Sequence, residues 1–183
     1  RSTSDAFRLL FRQGLTEPTA EQVAALPYPQ LQLKAKDVNG VLVLGHVDGR
    51  QQTWYAGKDA VFYLEPSGLV TGTNGIGRTV RIAIDGVSPF DDLSQAADGT
   101  RVQRRYDWTP GYRMGVPITG TLNRTGPEEV EILGRQRTLT RYEETLAGPG
   151  IDETNIYWAD ESGFIWKSTQ FLAPGNTVEI VQL

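Results

Sequence analysis

The stretch LQLKAKDVNGVLVLGHVDG, residues 31–49, marks the point where the sequence takes on the period of a β-strand. Apolar and polar residues alternate strictly over 31–35, which is typical of a strand with one buried face. The Asn39-Gly40 pair then predicts the tight turn of a β-hairpin. The nearly continuous apolar run 41–47 follows as the return strand, with both faces expected to be buried. This hairpin predicts a β fold.

The same pattern continues to the end of the chain. Short apolar stretches with strand character recur, each bounded by Gly, Pro, Asn or Asp. Further strands are predicted over residues 52–56, 60–64, 69–71, 78–84, 101–108, 113–122, 129–133, 138–145, 155–159, 164–171 and 178–181. Many short strands, with turn signals roughly every 8 to 12 residues, predict an antiparallel β-sandwich or an open, barrel-like arrangement of sheets.

Two short helices are predicted before the strands begin. Ser4 is a candidate N-cap of an amphipathic helix that ends near Gly14. Thr19 and Gln22 have the spacing of a capping box, which predicts a second helix start. Pro27 would end this helix, since a proline disfavours helical backbone in the residue before it.

The 183 residues are enough for one domain with a sizeable core. The boundary is predicted at the change of period, with a helical segment over residues 1–28 and a β domain over 29–183. Residues 85–99 interrupt the strands with Gly, Pro and Asp. A loop of that length is expected to be functional, mobile or a seam between two runs of strands.

The composition excludes several classes of function. A net charge of −4 argues against a nucleic-acid-binding protein, because binding phosphates requires a basic face. The chain has no cysteine, so it has no thiolate nucleophile and no soft metal site. The lone histidine, His46, lies inside an apolar strand and is interpreted as structural. We therefore expect no metal, no cofactor and no enzymatic activity.

Arginines form the first candidate binding site. Arg101, Arg104 and Arg105 lie close together in one strand, and Arg78 and Arg81 in a neighbouring strand could join them in space. Such a patch could hold an acidic sugar or the carboxylates of a partner. The alternative is an ordinary solvated strand face whose charges are paired with nearby acids.

Aromatic residues form the second candidate site. Trp54, Trp108 and Tyr112 could offer flat apolar faces on which sugar rings stack, and a pure glycan-binding module with an exposed tryptophan platform is one alternative function. The competing interpretation places the tryptophans in the core. Trp158 and Trp166 in particular suit a cross-strand aromatic pair.

Acidic residues leave an enzymatic alternative open. Two carboxylates can hydrolyse a glycosidic bond without a histidine. The candidates are Asp85, Asp91, Asp92, Asp107, Glu143 and Glu144. Asp107 and Glu143, with aromatic residues nearby, motivate this alternative. Adjacent Glu143 and Glu144 point to opposite faces of a strand and cannot line one cleft together.

A set of short motifs, in order along most of the chain, resembles a known family. The set comprises Leu26-Pro27-Tyr28, Val43-Leu44-Gly45, Trp54, Gly77-Arg78-Thr79-Val80-Arg81, Asp107-Trp108, Tyr112, Asn155-Ile156-Tyr157-Trp158-Ala159-Asp160, Gly163, Trp166, Ser168, Gln170 and Pro174-Gly175. From about Leu26 onward, the sequence is similar to the YjbF/GfcB family of capsule and exopolysaccharide lipoproteins.

The resemblance implies a lipoprotein anchored at the periplasmic face of the outer membrane of a Gram-negative bacterium. Its implied partners are an outer-membrane β-barrel or another exopolysaccharide-secretion protein, with the polysaccharide as a further ligand. The lipidated cysteine of the family is missing here. The start at Arg1 leads us to expect that a signal segment and anchor were removed. Within the family motif, Gly77 and Arg78 would either present a guanidinium to a ligand or form a structural salt bridge.

Overall fold

The computed structural model describes residues 17–36, 38–58, 60–75 and 78–183 of the chain. The helix predicted between Ser4 and Gly14 lies outside these residues, as does Gly77. The described residues contain one α-helix, α1 (Ala20–Ala24). No helix among them is long and apolar enough to cross a membrane.

The predicted capping box is confirmed at the start of α1. The Gln22 backbone N–H donates to the Thr19 hydroxyl at 3.2 Å, and the Thr19 backbone N–H donates to the Gln22 side chain at 3.0 Å. Two of the unpaired N–H groups at the start of the helix are thereby satisfied. The helix ends three residues before Pro27, in agreement with the prediction.

Twelve antiparallel strands follow and make up the rest of the fold. They are β1 (Gln30–Ala35), β2 (Asn39–Asp48), β3 (Gln51–Ala56), β4 (Ala60–Leu64), β5 (Val70–Asn74), β6 (Thr79–Asp85), β7 (Thr100–Thr109), β8 (Arg113–Ile132), β9 (Arg135–Gly148), β10 (Ile151–Ala159), β11 (Ile165–Ala173) and β12 (Asn176–Gln182). Each strand pairs with its neighbours in sequence.

The sheet closes on itself, because β1 pairs with β12 over five residues, from Leu31↔Gln182 to Ala35↔Val178. The fold is therefore a closed barrel of twelve strands among the described residues. The predicted mainly β, antiparallel fold is confirmed, whereas the sandwich and the open form of the barrel-like arrangement are wrong. Closure joins two strands that are nearly 150 residues apart in the sequence. Because β1 and β12 pair with each other, neither is left as an unpaired edge of the sheet.

Two strand predictions differ from the structure. Asn39 and Gly40 do not form the first turn, because they pair with Lys34 and Leu33 inside the β1–β2 ladder. This register keeps Leu31 and Leu33 buried beside the first apolar residues of β2. The strands predicted over 113–122 and 129–133 are one strand, β8, which continues through an irregularity between Arg124 and Gly126.

The distal part of the β8–β9 hairpin forms a separate apolar cluster. Val130, Ile132 and Leu139 from the hairpin are buried together with Trp158 and Val181, with Trp166 partly buried against them. The predicted Trp158–Trp166 cross-strand pair is not formed, since Trp158 pairs with Lys167 and a bulge follows it.

Residues 86–99 pack closely against one end of the barrel. Two short 3-10 turns, Pro89–Asp91 and Leu93–Gln95, place Phe90 and Leu93 in an apolar cluster with Tyr157. Phe90 is 1% exposed and Leu93 is fully buried. The segment therefore contributes to the hydrophobic core.

Candidate functional site

A charged pair lies inside the barrel, between β7 and β9. The side chains of Arg104 and Glu144 are 1% and 0% exposed. Arg104 Nε donates to Glu144 Oε1 at 2.9 Å, and Arg104 Nη2 donates to Oε2 at 2.7 Å. Gly120 on β8 makes room for the carboxylate, because a Cβ at that position would overlap it. This is a bidentate pair, the strongest geometry available to an arginine and a carboxylate.

Neutral side chains complete the interior cluster. The Tyr157 hydroxyl donates to Glu144 Oε2 at 2.7 Å and accepts from Arg104 Nη2 at 3.1 Å. Asn155 Nδ2 donates to the same hydroxyl at 3.1 Å, and its Oδ1 accepts the Phe171 backbone N–H at 2.7 Å. The carboxylate and guanidinium are therefore paired with each other and hydrogen-bonded to their neighbours, as buried charges must be.

The surroundings of Arg104 and Tyr157 shift the pKa of both groups upward. Burial alone would lower the pKa of Arg104, but Tyr157 and Glu144 beside it raise the pKa instead. Burial raises the pKa of Tyr157 well above its ordinary value, and the neighbouring Glu144 raises it further. Arg104 stays charged and Tyr157 stays neutral across the physiological range, so the cluster is suited to holding the barrel together.

The interior position of Arg104 corrects the predicted arginine patch. Arg104 faces inward between Val102 and Tyr106, while Arg101 and Arg105 face outward. Consecutive residues of a strand point to opposite faces, so Arg104 and Arg105 cannot share a surface. The three arginines therefore do not form a single cationic site.

A groove on the outer wall of the barrel is the larger candidate site. It has a volume of about 680 Å³ and runs across β4, β5, β6 and β7. Arg81 and Arg105, two of the predicted binding residues, line it together with Asp107. The groove is open to solvent and contains charged, amide, hydroxyl and aromatic side chains, a mixture suited to a polar ligand with apolar faces.

The floor of the groove is made by a glycine and a tyrosine. Tyr63 and Arg81 are the two cross-strand partners of Gly72. A Cβ on Gly72 would lie 3.3 Å from Tyr63 Cδ2 and 3.0 Å from the Val80 carbonyl oxygen. The missing side chain thus lets the tyrosine ring lie close to the wall.

Two charged side chains stand beside this floor. Arg81 and Asp107 are direct cross-strand partners on β6 and β7. Asp107 Oδ1 accepts the Gly115 backbone N–H at 2.6 Å. Arg81 has no hydrogen-bond or ion-pair partner within the described part of the chain. Arg105 differs, because Asp85 neutralises it at 2.7 Å. Arg81 is therefore the cation that a ligand in the groove can reach.

The other predicted binding residues lie away from the groove. Trp54 and Trp108 are 3% and 4% exposed and belong to the barrel core, so the exposed tryptophan platform is wrong. Tyr112 is 84% exposed at the β7–β8 turn. Arg78 is exposed near the β11–β12 turn, where it donates to the Pro174 carbonyl oxygen at 3.2 Å.

Asp107 and Glu143, the two acids that motivate the enzymatic alternative, are not brought into one cleft. Asp107 lies opposite the start of β8, near Gly115, whereas Glu143 pairs with Asn123 farther along β8. Eight residues of strand separate these positions, about 27 Å at 3.4 Å per residue. This distance exceeds the separation of the two catalytic carboxyl groups in both retaining and inverting glycosidases. The predicted opposite orientation of Glu143 and Glu144 is confirmed.

Sequence reasoning missed two parts of these sites. The interior pair could have been predicted, because Arg104 and Glu144 each lie on the face of their strand that otherwise carries buried apolar residues. The Tyr63–Gly72 floor carried no such signal, because it depends on the register of β4 against β5.

The family of the chain is shown by its sequence. The sequence model of the family "Group 4 capsule polysaccharide lipoprotein gfcB, YjbF" matches residues 4–183. The chain belongs to this family. No curated protein matches it significantly. The YjbF resemblance inferred from the motifs is thereby confirmed. The family is one of capsule polysaccharide lipoproteins.

One solved structure shares the fold of this YjbF family member. The hypothetical lipoprotein YmcC from Escherichia coli has a TM-score of 0.83 at 24% identity, covering 100% of this chain and 96% of that one. A Bacteroides fragilis protein with a YmcC-like fold reaches a TM-score of 0.37 at 11% identity, over 84% of this chain and 92% of its own. The YmcC match shows a shared fold.

Proposed function

We propose that this YjbF family member assists the export or assembly of a capsular or exopolysaccharide by binding the glycan along its outer groove. The proposed location is the periplasmic face of the outer membrane, where a lipid anchor would hold the protein. The family supports the polysaccharide context. The observation that carries the binding step is the exposed Arg81 side chain beside the Tyr63–Gly72 floor. Among the described residues it forms no ion pair, and Asp107 lies opposite it across the β6–β7 ladder.

Each part of the groove matches a feature of a sugar. A flat tyrosine ring can cover the apolar face of a pyranose, while its hydroxyl remains in water. Asp107 can accept hydrogen bonds from sugar hydroxyls, and Arg81 can donate two parallel hydrogen bonds to a carboxylate or to neighbouring hydroxyls. The groove therefore favours a glycan that carries acidic residues, held by a few charged contacts.

The interior cluster does not take part in this binding. Arg104 and Glu144 are buried, and each is already paired with the other in a bidentate salt bridge. The protein would therefore bind and present a chain while leaving its covalent bonds unchanged. Its role would be that of an accessory factor to the proteins that move or join the glycan.

A pair of matched variants tests the glycan site. Arg81→Gln removes the available cation, and Arg101→Gln removes an exposed outward arginine of β7 that does not line the groove. We expect Arg81→Gln to weaken binding of acidic oligosaccharides from the organism's own capsule at least about tenfold in calorimetry. Arg101→Gln should stay within about twofold.

The same variants test the cellular role. In a strain that lacks the gene, the wild type and Arg101→Gln should restore surface polysaccharide, and Arg81→Gln should restore less. Equal binding by both variants would refute the groove as the glycan site. Unchanged surface polysaccharide in the deletion strain would refute the function itself.

A further inference from the structure

A row of outward-facing residues crosses the barrel wall and passes through the groove. Its members are direct cross-strand partners on six successive strands, in the order His46, Thr53, Tyr63, Gly72, Arg81 and Asp107. Residues next to them in their strands, such as Trp54, Phe62 and Val80, lie in the core, so the row itself faces outward. Five steps between neighbouring strands make the row about 24 Å long. The row therefore continues beyond the groove, over β3 and β2.

A second tyrosine lies beside this outer half of the row. Tyr55 follows Thr53 by two residues on β3 and therefore shares its outward face. Its ring occupies the space above Gly45 on β2, since a Cβ at that position would overlap the ring atoms Cδ2 and Cε2. The glycine thus lets the ring lie against the wall, as on the floor of the groove. Tyr55 remains 38% exposed, so a ligand can reach it.

The two tyrosine rings lie far apart on the wall. The Tyr55 ring lies over β2, whereas the Tyr63 ring lies beside Gly72 on β5. Three inter-strand steps, about 14 Å, separate these positions across the strands. Thr53 lies between them and is half-buried, and the exposed His46 ends the row. The distance is larger than one sugar ring, so a ligand that contacts both tyrosines must be a chain of several units.

The two halves of the row offer different contacts. Arg81 and Asp107 place the charged groups at one end. From Gly72 to Thr53 the row carries only hydroxyl and aromatic groups, and the Tyr55 ring adds a second apolar surface there. Hydroxyl groups can donate and accept hydrogen bonds, and an aromatic ring can cover the apolar face of a sugar. The outer half is therefore suited to uncharged sugar units that follow the unit at the charged end.

We propose that Tyr55, Thr53 and His46 form a second contact surface for the glycan, continuous with the groove. The chain would lie across the strands from β6 to β2, with one sugar at Arg81 and Tyr63 and another, further along the chain, on Tyr55. The inference rests on the proposed function, which it extends from one subsite to a chain of several sugars. A second contact on the same chain raises its affinity, because it forms at a high effective concentration.

The wall at this place favours a glycan over a peptide. Strands β3 and β4, at the centre of the row, pair with both of their neighbours along nearly their whole length. A peptide lying across them would find few backbone groups to pair with, and its own N–H and C=O groups would lose water without gaining partners. A sugar has no such backbone. Its separate hydroxyls can bond to single side chains such as Thr53 and His46.

The test compares two acidic oligosaccharides from the organism's own capsule, a disaccharide and an octasaccharide, on the whole chain. Calorimetry gives the affinity, and urea denaturation checks that each variant is folded. Tyr55→Ala removes the second ring. Gly45→Ala keeps the tyrosine but displaces its ring, because the added Cβ overlaps it. Tyr28→Ala is the matched control, since Tyr28 is 50% exposed and lies outside the row.

The expected result depends on the length of the glycan. Wild type should bind the octasaccharide at least about tenfold more tightly than the disaccharide. Tyr55→Ala and Gly45→Ala should weaken octasaccharide binding about fivefold or more and leave disaccharide binding within about twofold. Arg81→Gln should weaken both, and Tyr28→Ala should change neither. In NMR spectra of the wild type, the octasaccharide should shift the amides of residues 45–46 and 53–55, and the disaccharide should leave them in place.

Three results would overturn the proposal. Equal affinity for both lengths, or octasaccharide binding that survives Tyr55→Ala and Gly45→Ala, would remove the second contact, while weakening by Arg81→Gln would still leave the groove as the glycan site. Binding of neither oligosaccharide would refute the proposed function and this extension together. Binding of a proline-rich peptide that is lost in Tyr55→Ala, with octasaccharide binding unaffected, would assign this surface to a protein partner.

Discussion

Arg104 and Arg81 face opposite sides of the same barrel wall and are used in opposite ways. Arg104 is enclosed, bonded to both oxygens of Glu144 and backed by Tyr157. Arg81 stands in the outer groove, with no partner among the described residues. Charge alone therefore does not mark a binding site in this fold, because a charged side chain can bind a ligand only where it is exposed and not already paired within the protein.

The two regions also differ in what their loss should cost. A buried charge that loses its partner is expensive, because no water replaces the missing contacts. An exposed charge without a partner contributes little to folding, so its removal should affect binding alone. Stability and ligand affinity should therefore respond to separate residues.

The largest effect is expected inside the barrel. Glu144→Gln keeps the shape of the side chain but leaves Arg104 buried without a counter-charge. We expect a loss of about 3–5 kcal/mol in the free energy of unfolding, measured by urea denaturation.

Two companion variants sharpen this result. Glu143→Gln, one residue away on the outer face, removes only a surface pair with Arg141 and should cost less than about 1 kcal/mol. Replacing Arg104 by Met in the Glu144→Gln background should restore much of the lost stability. Similar losses in the two single variants would contradict the distinction between the inner and outer faces.

The next effect concerns the hydroxyl that joins the interior cluster. Tyr157→Phe removes the donor to Glu144 and the acceptor for Arg104 and Asn155. We expect the free energy of unfolding to fall by about 1–3 kcal/mol, because these buried polar groups lose a partner. Tyr112→Phe is the matched control at the exposed β7–β8 turn and should be close to neutral. A neutral Tyr157→Phe would show that the cluster is not cooperative.

A smaller, pH-dependent effect is expected at the β10–β11 turn. Partial burial would raise the pKa of Asp160, but hydrogen bonds from Ser162, Trp166 and the Phe164 N–H lower it below its ordinary value of 3.8. A lowered pKa gives stability that is present above pH 3.8 and lost as the pH falls below it. Wild type should therefore lose more stability than Asp160→Asn below about pH 4. Parallel acid denaturation curves would contradict this assignment.

The smallest effect on folding is expected in the groove. Arg81→Gln should change the free energy of unfolding by less than about 0.5 kcal/mol, since nothing in the described structure depends on the guanidinium. Urea denaturation beside the Glu144→Gln variant gives the direct comparison. A loss comparable to that of Glu144→Gln would mean that Arg81 is a structural residue.

Strand character and several turns were predictable from local chemistry. The β4 strand has the predicted bounds, and Gly49 and Pro149-Gly150 lie between strands, as expected of residues that bound strands. These features depend on neighbouring residues, and a glycine such as Gly49, with φ of +57°, permits a backbone that other residues adopt rarely.

Closure and register could not be predicted, because they depend on contacts between distant residues. No residue near Leu31 in the sequence indicates that Leu31 pairs with Gln182. The Asn39-Gly40 pair has the sequence of a turn, but it lies in the ladder because this register keeps Leu33 buried. For the same reason, Gly72 could not be recognised as part of a groove floor. The prediction that Arg104 belongs to a surface patch could have been avoided, because the alternation of the strand already places its side chain on the buried face.

One NMR titration tests directly whether the outer groove is the glycan-binding site. The backbone amide spectrum of the whole chain is recorded by NMR while an acidic capsule oligosaccharide is added. If the groove binds the glycan, the largest shifts will occur at the amides around Gly72, Arg81 and Asp107, and the amides near Glu144 and Tyr157 will not shift. Shifts concentrated in the interior cluster or at the β7–β8 turn, with the groove unchanged, would contradict it.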